Sequence, residues 1–280
     1  MATVHNSEKV SPTAYATGYL WYRLGLSHPA MATPQGKRLD RPFRLLMKAL
    51  GGGTFETLML ARHKGIDGLL SRAIEGGKVG QVIEIAAGLS GRGIRMMQRY
   101  GDRLTYVETD LPHMAALKRR LLTEAGLLSA RHQVMEINAL TDEGPHSLAE
   151  VARTLDPKLG TAIITEGLMN YLDHDSAKAV WQRIARNLRG FPHGLYLADV
   201  YLTSQNRGVG AIVFGAVLSS FVRGRLHIHF DSPQHGVEIM RAAGFRSAII
   251  HQTRDLPETR ELAQQRGGDR VRVLEAHVPA

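Results

Sequence analysis

From Val79 onward the chain alternates short β-branched runs with helix-patterned stretches, and that alternation leaves few folds open. Val79–Ala86 (VGQVIEIA), Leu104–Val107, Gln133–Ile137, Thr161–Thr165 (TAIIT), Gly194–Tyr201 (GLYLADVY), Ser247–Gln252 and Arg270–Val278 read as strands. Ile94–Tyr100, Met114–Ala125, Ser147–Leu155, Ala177–Leu188 and Gly236–Ala243 carry helical spacing between them. Strands and helices in this order predict an α/β fold: a doubly wound, seven-stranded, mostly parallel sheet covered on both faces. Only a short turn is expected between the last two strands. A link that short cannot make a parallel crossover, so the final strand should pair antiparallel.

Residues 1–75 contain no convincing strand. Ala14–Leu26, Thr54–Lys64 and Ile66–Ile74 have helical patterns, and Gly51-Gly52-Gly53 should break the chain between them. The expected organisation is an N-terminal helical cap over 1–75 and a sheet domain over 76–280. A lid insertion at about 203–235 would complete one structural unit. Tyr15, Tyr19, Trp21 and Tyr22 would either line a flat acceptor pocket or pack a core helix.

The 280 residues are 44% hydrophobic and 22% charged, enough to fill a large core and too apolar for disorder. With no cysteine the chain has no disulfide, thiol nucleophile or zinc ribbon, and a reducing, cytoplasmic location is expected. Met1–Val10 is polar. The one long apolar run, Gly208–Val222, falls short of the ~20 residues that a membrane span needs. No membrane partner is therefore expected. A net charge of +9 raises the question of a nucleic-acid partner. The basic residues are scattered, though Arg92, Arg95, Arg99 and Arg103 recur every three or four positions and could form one basic helical face.

In open α/β sheets ligands sit outside the carboxyl ends of the strands. The first strand there leads into Glu84-Ile-Ala86-Ala-Gly88-Leu-Ser90-Gly91-Arg92-Gly93, small residues that let backbone approach a ligand. The glycine order is not the dinucleotide G-x-G-x-x-G. Glu108-Thr109-Asp110 follows the second strand, and either acid could bind a ribose diol. Asn138 and Ala139 follow the third. Glu166-Gly-Leu-Met-Asn-Tyr-Leu follows the fourth.

Together VIEIAAGLSGRGIR, YVETDLP with Lys118 behind it, and TEGLMNYL resemble the leucine carboxyl methyltransferase-like family. Its members are S-adenosylmethionine-dependent O-methyltransferases, and the bacterial ones include enzymes acting on polyketide-type small molecules. The match runs from about Arg62 to Leu188. It implies a Rossmann-like, class I methyltransferase fold, S-adenosyl-L-methionine as cofactor and a small-molecule acceptor. By the same resemblance Gly88 lies beside the methionine part of the cofactor, with Glu84 and Arg92 of the same motif. Asp110, rather than Glu108, takes the ribose. Asn138 and Ala139 lie beside the adenine, Glu166 lies near the amino-acid end, and Arg62 in ARHKGIDGLL grips the cofactor carboxylate. Three positions depart from the family: Ala86 replaces the usual first glycine, Ser90-Gly91 stand where Asp-Thr is common, and Asn138 replaces Asp.

The side chains suit that ligand without a metal, and none is expected. A carboxylate acceptor is already ionised at neutral pH and needs no general base, whereas a phenol or alcohol does. Candidate bases are His227 and His229 in LHIHF, Asp199 and Tyr201. The histidines share a face if their segment is extended. A metal pair or plain packing are their other uses. The leading expectation is a methyltransferase acting on a carboxylate or phenol oxygen of a small molecule. Its rivals are a nicotinamide-dependent oxidoreductase, a basic nucleic-acid-binding protein or RNA methyltransferase, and a non-catalytic relative that only binds the cofactor.

Overall fold

The computed structural model describes residues 12–49, 54–204 and 226–279. The seven strands are β1 (Gln81–Ile85), β2 (Thr105–Asp110), β3 (His132–Glu136), β4 (Thr161–Thr165), β5 (Gly194–Val200), β6 (Ser247–Gln252) and β7 (Arg272–His277). They form one sheet in the order β3-β2-β1-β4-β5-β7-β6. β7 is antiparallel to both its neighbours, and the other pairings are parallel.

Side chains alternate across a strand, and here both faces are buried. Ile83, Ile85, Ile163, Tyr196 and Ala198 meet Val180, Trp181, Ile184 and Leu188 of α7 (His174–Leu188). On the other face Val82, Tyr106, Ala162, Ile164, Leu195 and Leu197 meet Ile66, Leu69, Leu70 and Ile74 of α3 (Thr54–Glu75). Burial on both sides explains why these strands read as continuous apolar runs. It also places α3, which the expected boundary at residue 75 assigns to the cap, in the core of the sheet itself.

Among the described residues two α-helices precede α3: α1 (Pro12–Arg23) and α2 (Pro34–Ala49). α1 and the turn behind it lie against the segment joining β1 to α4 (Arg92–Tyr100). A Cβ on Gly18 would stand 2.5 Å from that of Leu89, and one on Gly91 would stand 2.6 Å from the Ser27 Cα, so glycine is required at both contacts. Met31 seals the junction against Leu89, Ile94 and Met114.

The helices α5 (Pro112–Glu124), α7 and α8 (Pro233–Ala243) begin earlier than their apolar spacing suggests. The reason is capping: Asp173 accepts from the Ser176 N–H at 2.8 Å, Ser232 accepts from the His235 N–H at 3.2 Å, and prolines open α5 and α8. α6 (Leu148–Arg153) is capped by Ser147 in the same way. The expected short turn between β6 and β7 is instead a longer link holding a 3-10 turn (Thr253–Asp255) and α9 (Arg260–Ala263). The Thr253 hydroxyl ties this link to the Gly268 carbonyl at 2.7 Å. Polar turn residues hid it from an apolar pattern.

The apolar run 208–222, most of the expected lid insertion and the Gly51–Gly53 break lie outside the described residues. Among the described residues no helix is long and apolar enough to cross a membrane.

Ala86, the first residue after β1, has φ +53°. A left-handed conformation costs a non-glycine residue roughly 1–2 kcal/mol. The alanine at this glycine position is therefore strained by its backbone, not its bulk. Ala86→Gly is expected to raise stability by about 0.5–1 kcal/mol after the entropy of a freer unfolded chain is deducted. A denaturant titration checks this, and a destabilised variant would refute it.

Candidate cofactor site

Glu166 leaves the end of β4. Gly167 follows with φ +68°, and its N–H donates to Asp199 Oδ1 at the end of β5, 2.7 Å away. Arg62, projecting from α3, closes the group: its Nε donates to Glu166 Oε1 at 2.8 Å, and its guanidinium lies 3.5 Å from Asp199 Oδ2. That Asp199 oxygen is buried and has no hydrogen-bond partner. The structure thus brings together Arg62, Glu166 and Asp199.

A second ionic layer lies beneath. The Arg92 guanidinium is fully buried and pairs with Asp67, Glu84 and Glu166. Arg95 pairs with Asp67 and donates to His63 Nε2 at 2.8 Å, while His63 Nδ1 faces Glu166 Oε2 at 2.8 Å. The Trp21 indole stacks on the His63 ring at 4.3 Å. The expected basic face of α4 is corrected accordingly. Arg92 and Arg95 point inward and are neutralised, and only Arg99, paired with Glu75, and Arg103 remain at the surface.

Glu84 and Arg92 lie beneath the surface of the site. Glu84 is 1% exposed, and its oxygens are taken by Arg92 and the Tyr106 hydroxyl. Both are floor, not wall. Glu108 is buried in a pair with Lys118 and a 2.8 Å contact to His132, whereas Asp110 reaches the strand end. There it accepts from the N–H groups of Gly88 and Leu111, each at 2.8 Å, and so shapes the β1 turn. Gly88 itself has φ +48°. Asn138 caps its own turn through the Leu140 N–H at 3.0 Å, and Ala139 is partly buried beside it.

Burial alone would raise the Glu166 carboxyl, but His63, Arg92 and Arg62 hold it well below the usual range. Asp199 differs: burial dominates, and despite Arg62 and the Gly167 N–H its carboxyl is pushed up. A raised carboxyl means that Asp199 costs stability as pH climbs from the usual carboxylate range through its raised value. Asp199→Asn is therefore expected to leave the fold equally stable or about 1 kcal/mol more stable at neutral pH, and no more stable in acid. Melting curves from pH 4 to 8 read this, and a less stable variant at neutral pH would contradict it.

The four base candidates cluster at the strand ends. Asp199, Tyr201 and His229 line one water-sized cavity with Asn170, and His227 lies outside that lining, its ring 6.4 Å from that of His229. Asn170 donates to the His227 carbonyl at 2.6 Å and accepts from its N–H at 2.8 Å. Neither Tyr201 nor His229 is set up as a base. Burial pushes the Tyr201 phenol up, so it keeps its proton. His229 spends Nε2 on the Met169 carbonyl at 2.9 Å and Nδ1 on His174 at 3.1 Å. Among the described residues no group of three or more His, Asp or Glu could hold a metal ion. Trp21 is buried and Tyr22 exposed.

Sequence reasoning missed His63 and Asp67 and placed Arg95 only on a basic helical face. The available signal was spacing: His63 and Asp67 are one helical turn apart on α3, facing Arg92 and Arg95 one turn apart on α4.

The family model described as leucine carboxyl methyltransferase matches residues 36–185, more than half of the chain. The chain belongs to the leucine carboxyl methyltransferase family. A Frankia alni protein provisionally named an S-adenosyl-L-methionine-dependent methyltransferase is 30% identical over 154 residues, 55% of this chain and 52% of its own length. The chain thus spans about half the length of the curated relatives it matches. A crystal structure from Thermobifida fusca YX, provisionally titled a methyltransferase, superposes with TM-score 0.67 over 98% of this chain and 97% of that one, at 13% identity. Human N-acetylserotonin methyltransferase, solved with S-adenosylmethionine, gives TM-score 0.51 at 13% identity over 95% of this chain and 67% of that one. These likenesses are of fold: the sheet is that of the class I methyltransferases.

Proposed function

We propose that this family member transfers a methyl group from S-adenosylmethionine to a carboxylate oxygen of a small molecule. The charge balance of the site supports the cofactor. Around Glu166, Arg62, Arg92 and Arg95 face the four carboxylates Asp67, Glu84, Glu166 and Asp199. The surplus is one negative charge, and Asp199 Oδ2 faces Arg62 without receiving a hydrogen bond. S-adenosylmethionine carries a carboxylate, an ammonium and a sulfonium, a net charge of one positive. Arg62 would take the carboxylate in a fork, Asp199 and Glu166 the ammonium, and Asp110 the ribose diol. When bound, the cofactor supplies a methyl group on a sulfonium, open to displacement by an oxygen nucleophile.

The choice of a carboxylate acceptor rests on the base candidates. Tyr201 is held protonated, His229 has both nitrogens engaged, Asp199 is tied to Gly167 and Arg62, and His227, held through its backbone to Asn170, is not part of the cavity lining. The residues 205–225 contain no Asp, Glu or His to add. A carboxylate asks for none of them, because it is ionised at neutral pH. The chain's work is then to hold acceptor and donor in line, which can supply most of a displacement's acceleration. α1, lying on the β1 turn, would help keep water out.

Calorimetric titration with S-adenosylhomocysteine, S-adenosylmethionine and NADPH tests the cofactor. Micromolar binding of the first two alone supports the reading, and binding of NADPH alone replaces it with an oxidoreductase. Matched acids and phenols then test the acceptor. Acids should be methylated at a rate flat above pH ~6. Faster methylation of phenols, rising with pH, would refute the choice.

A further inference from the structure

We propose that His63 is the positioning residue for Glu166, acting as a neutral imidazole with its proton on Nδ1. The inference rests on the reading of Glu166 as a cofactor-site residue. His63 is completely buried between Trp21 of α1, the end of β4 and the start of α4. Its proton is assigned by its partners. Nε2 lies 2.8 Å from the Arg95 guanidinium, which can only donate, so Nε2 must offer its lone pair. Nδ1 lies 2.8 Å from Glu166 Oε2 and 2.9 Å from the Arg92 guanidinium, which itself donates to the same Glu166 oxygen; with Nε2 taken as the acceptor, the one hydrogen of the ring falls on Nδ1 and points to Glu166. Asp67, the other acid near Nε2, is 3.7 Å away and taken by Arg92 and Arg95.

This arrangement divides the two oxygens of Glu166. Oε2 is held from beneath by His63 and Arg92, and Oε1 is turned outward to Arg62. Arg92 anchors charge, but it is shared among three carboxylates. The His63 N–H fixes the rotation of the Glu166 carboxyl plane, which decides whether Oε1 meets an incoming ammonium. Because Trp21 stacks on the same ring, the seating of α1 bears on that rotation.

Three substitutions separate positioning from packing. His63→Phe keeps the ring and its stack on Trp21 but loses the donor. His63→Asn places an amide N–H near the lost Nδ1, and His63→Gln places one near Nε2. Affinity for S-adenosylhomocysteine should fall about tenfold to a hundredfold in H63F and H63Q, the loss expected for a hydrogen bond to a charged group. H63N should bind within about threefold of the wild type, even if all three variants melt at similarly lowered temperatures. Nitrogen NMR of the wild type, with His63 assigned as the signals lost in H63N, should show the Nδ1–H tautomer at neutral pH. Wild-type-like binding by H63F, equal losses in all three variants, or an Nε2–H or imidazolium ring would each overturn the proposal. Wild-type silence toward S-adenosylhomocysteine would overturn the cofactor reading and this inference with it. Binding by the wild type with H63F unimpaired overturns this inference alone.

Discussion

Arg92→Met should destabilise the fold by about 3–5 kcal/mol, because it leaves buried carboxylates without their shared cation. For a chain of this size that corresponds to a fall in melting temperature of roughly 10 °C. The cost arises at a side chain with no exposure that pairs with Asp67, Glu84 and Glu166 at once. The defect should also depend on pH in a stated direction. In the wild type the Asp67 and Glu166 carboxyls are lowered, so their stabilisation is present above the usual carboxylate range and lost as pH falls below it. In the variant their protonation comes at higher pH. The gap between the two proteins should therefore narrow from pH 7 toward pH 4. Urea titrations at both values measure it. A loss under 1 kcal/mol, or a gap that widens in acid, would show that the floor beneath Glu166 is held by something else.

Arg62→Ala should lower affinity for S-adenosylhomocysteine by about 1.5–3 kcal/mol, roughly tenfold to a hundredfold, with a smaller effect on folding. The residue reaches the site from the middle of α3 and is the charged partner of both Glu166 Oε1 and Asp199 Oδ2. Glu166 keeps His63 and Arg92 when Arg62 is removed, so the floor survives. Asp199, whose carboxyl is already pushed up, loses the opposing side-chain charge of Arg62 and should take up a proton more readily. Binding to the variant should thus weaken further as pH drops. Arg62→Lys should fall between the two, keeping the charge and losing the fork. Equal affinity in all three proteins would remove Arg62 from the site.

Most of the sheet was legible because burial on both faces leaves a continuous apolar signature. Thr161–Thr165 and Ser247–Gln252 were read to the residue. Helix starts were not, because Asp173, Ser232 and the opening prolines act through caps that an apolar count ignores. The allocation of α3 also failed to show, since a helical pattern does not say which surface it will meet. At the site, the strand-end rule picks out Gly88, Asp110 and Glu166 one by one, and Asp199 enters only as a candidate base. It could not show that Asp199 and Arg62, far apart in the chain, face each other across Glu166. Net charge misled in one respect: Arg92 and Arg95 count toward +9 but are spent inside the molecule.

The placement of β7 inside the sheet governs how the chain is made. β5 and β6 are not neighbours, and each waits for the same later strand. During synthesis β6 emerges with nothing to pair with, while β5 keeps an open flank. Nineteen residues separate β6 from β7, a delay of about 1–4 s at ordinary translation speeds. Throughout that interval two apolar strand edges are available to other chains. Chains tethered so that β6 is outside the ribosome and β7 still inside should accordingly be protease-sensitive around β5 and β6 and should recruit chaperones. Release of β7 should close the sheet in a single late step.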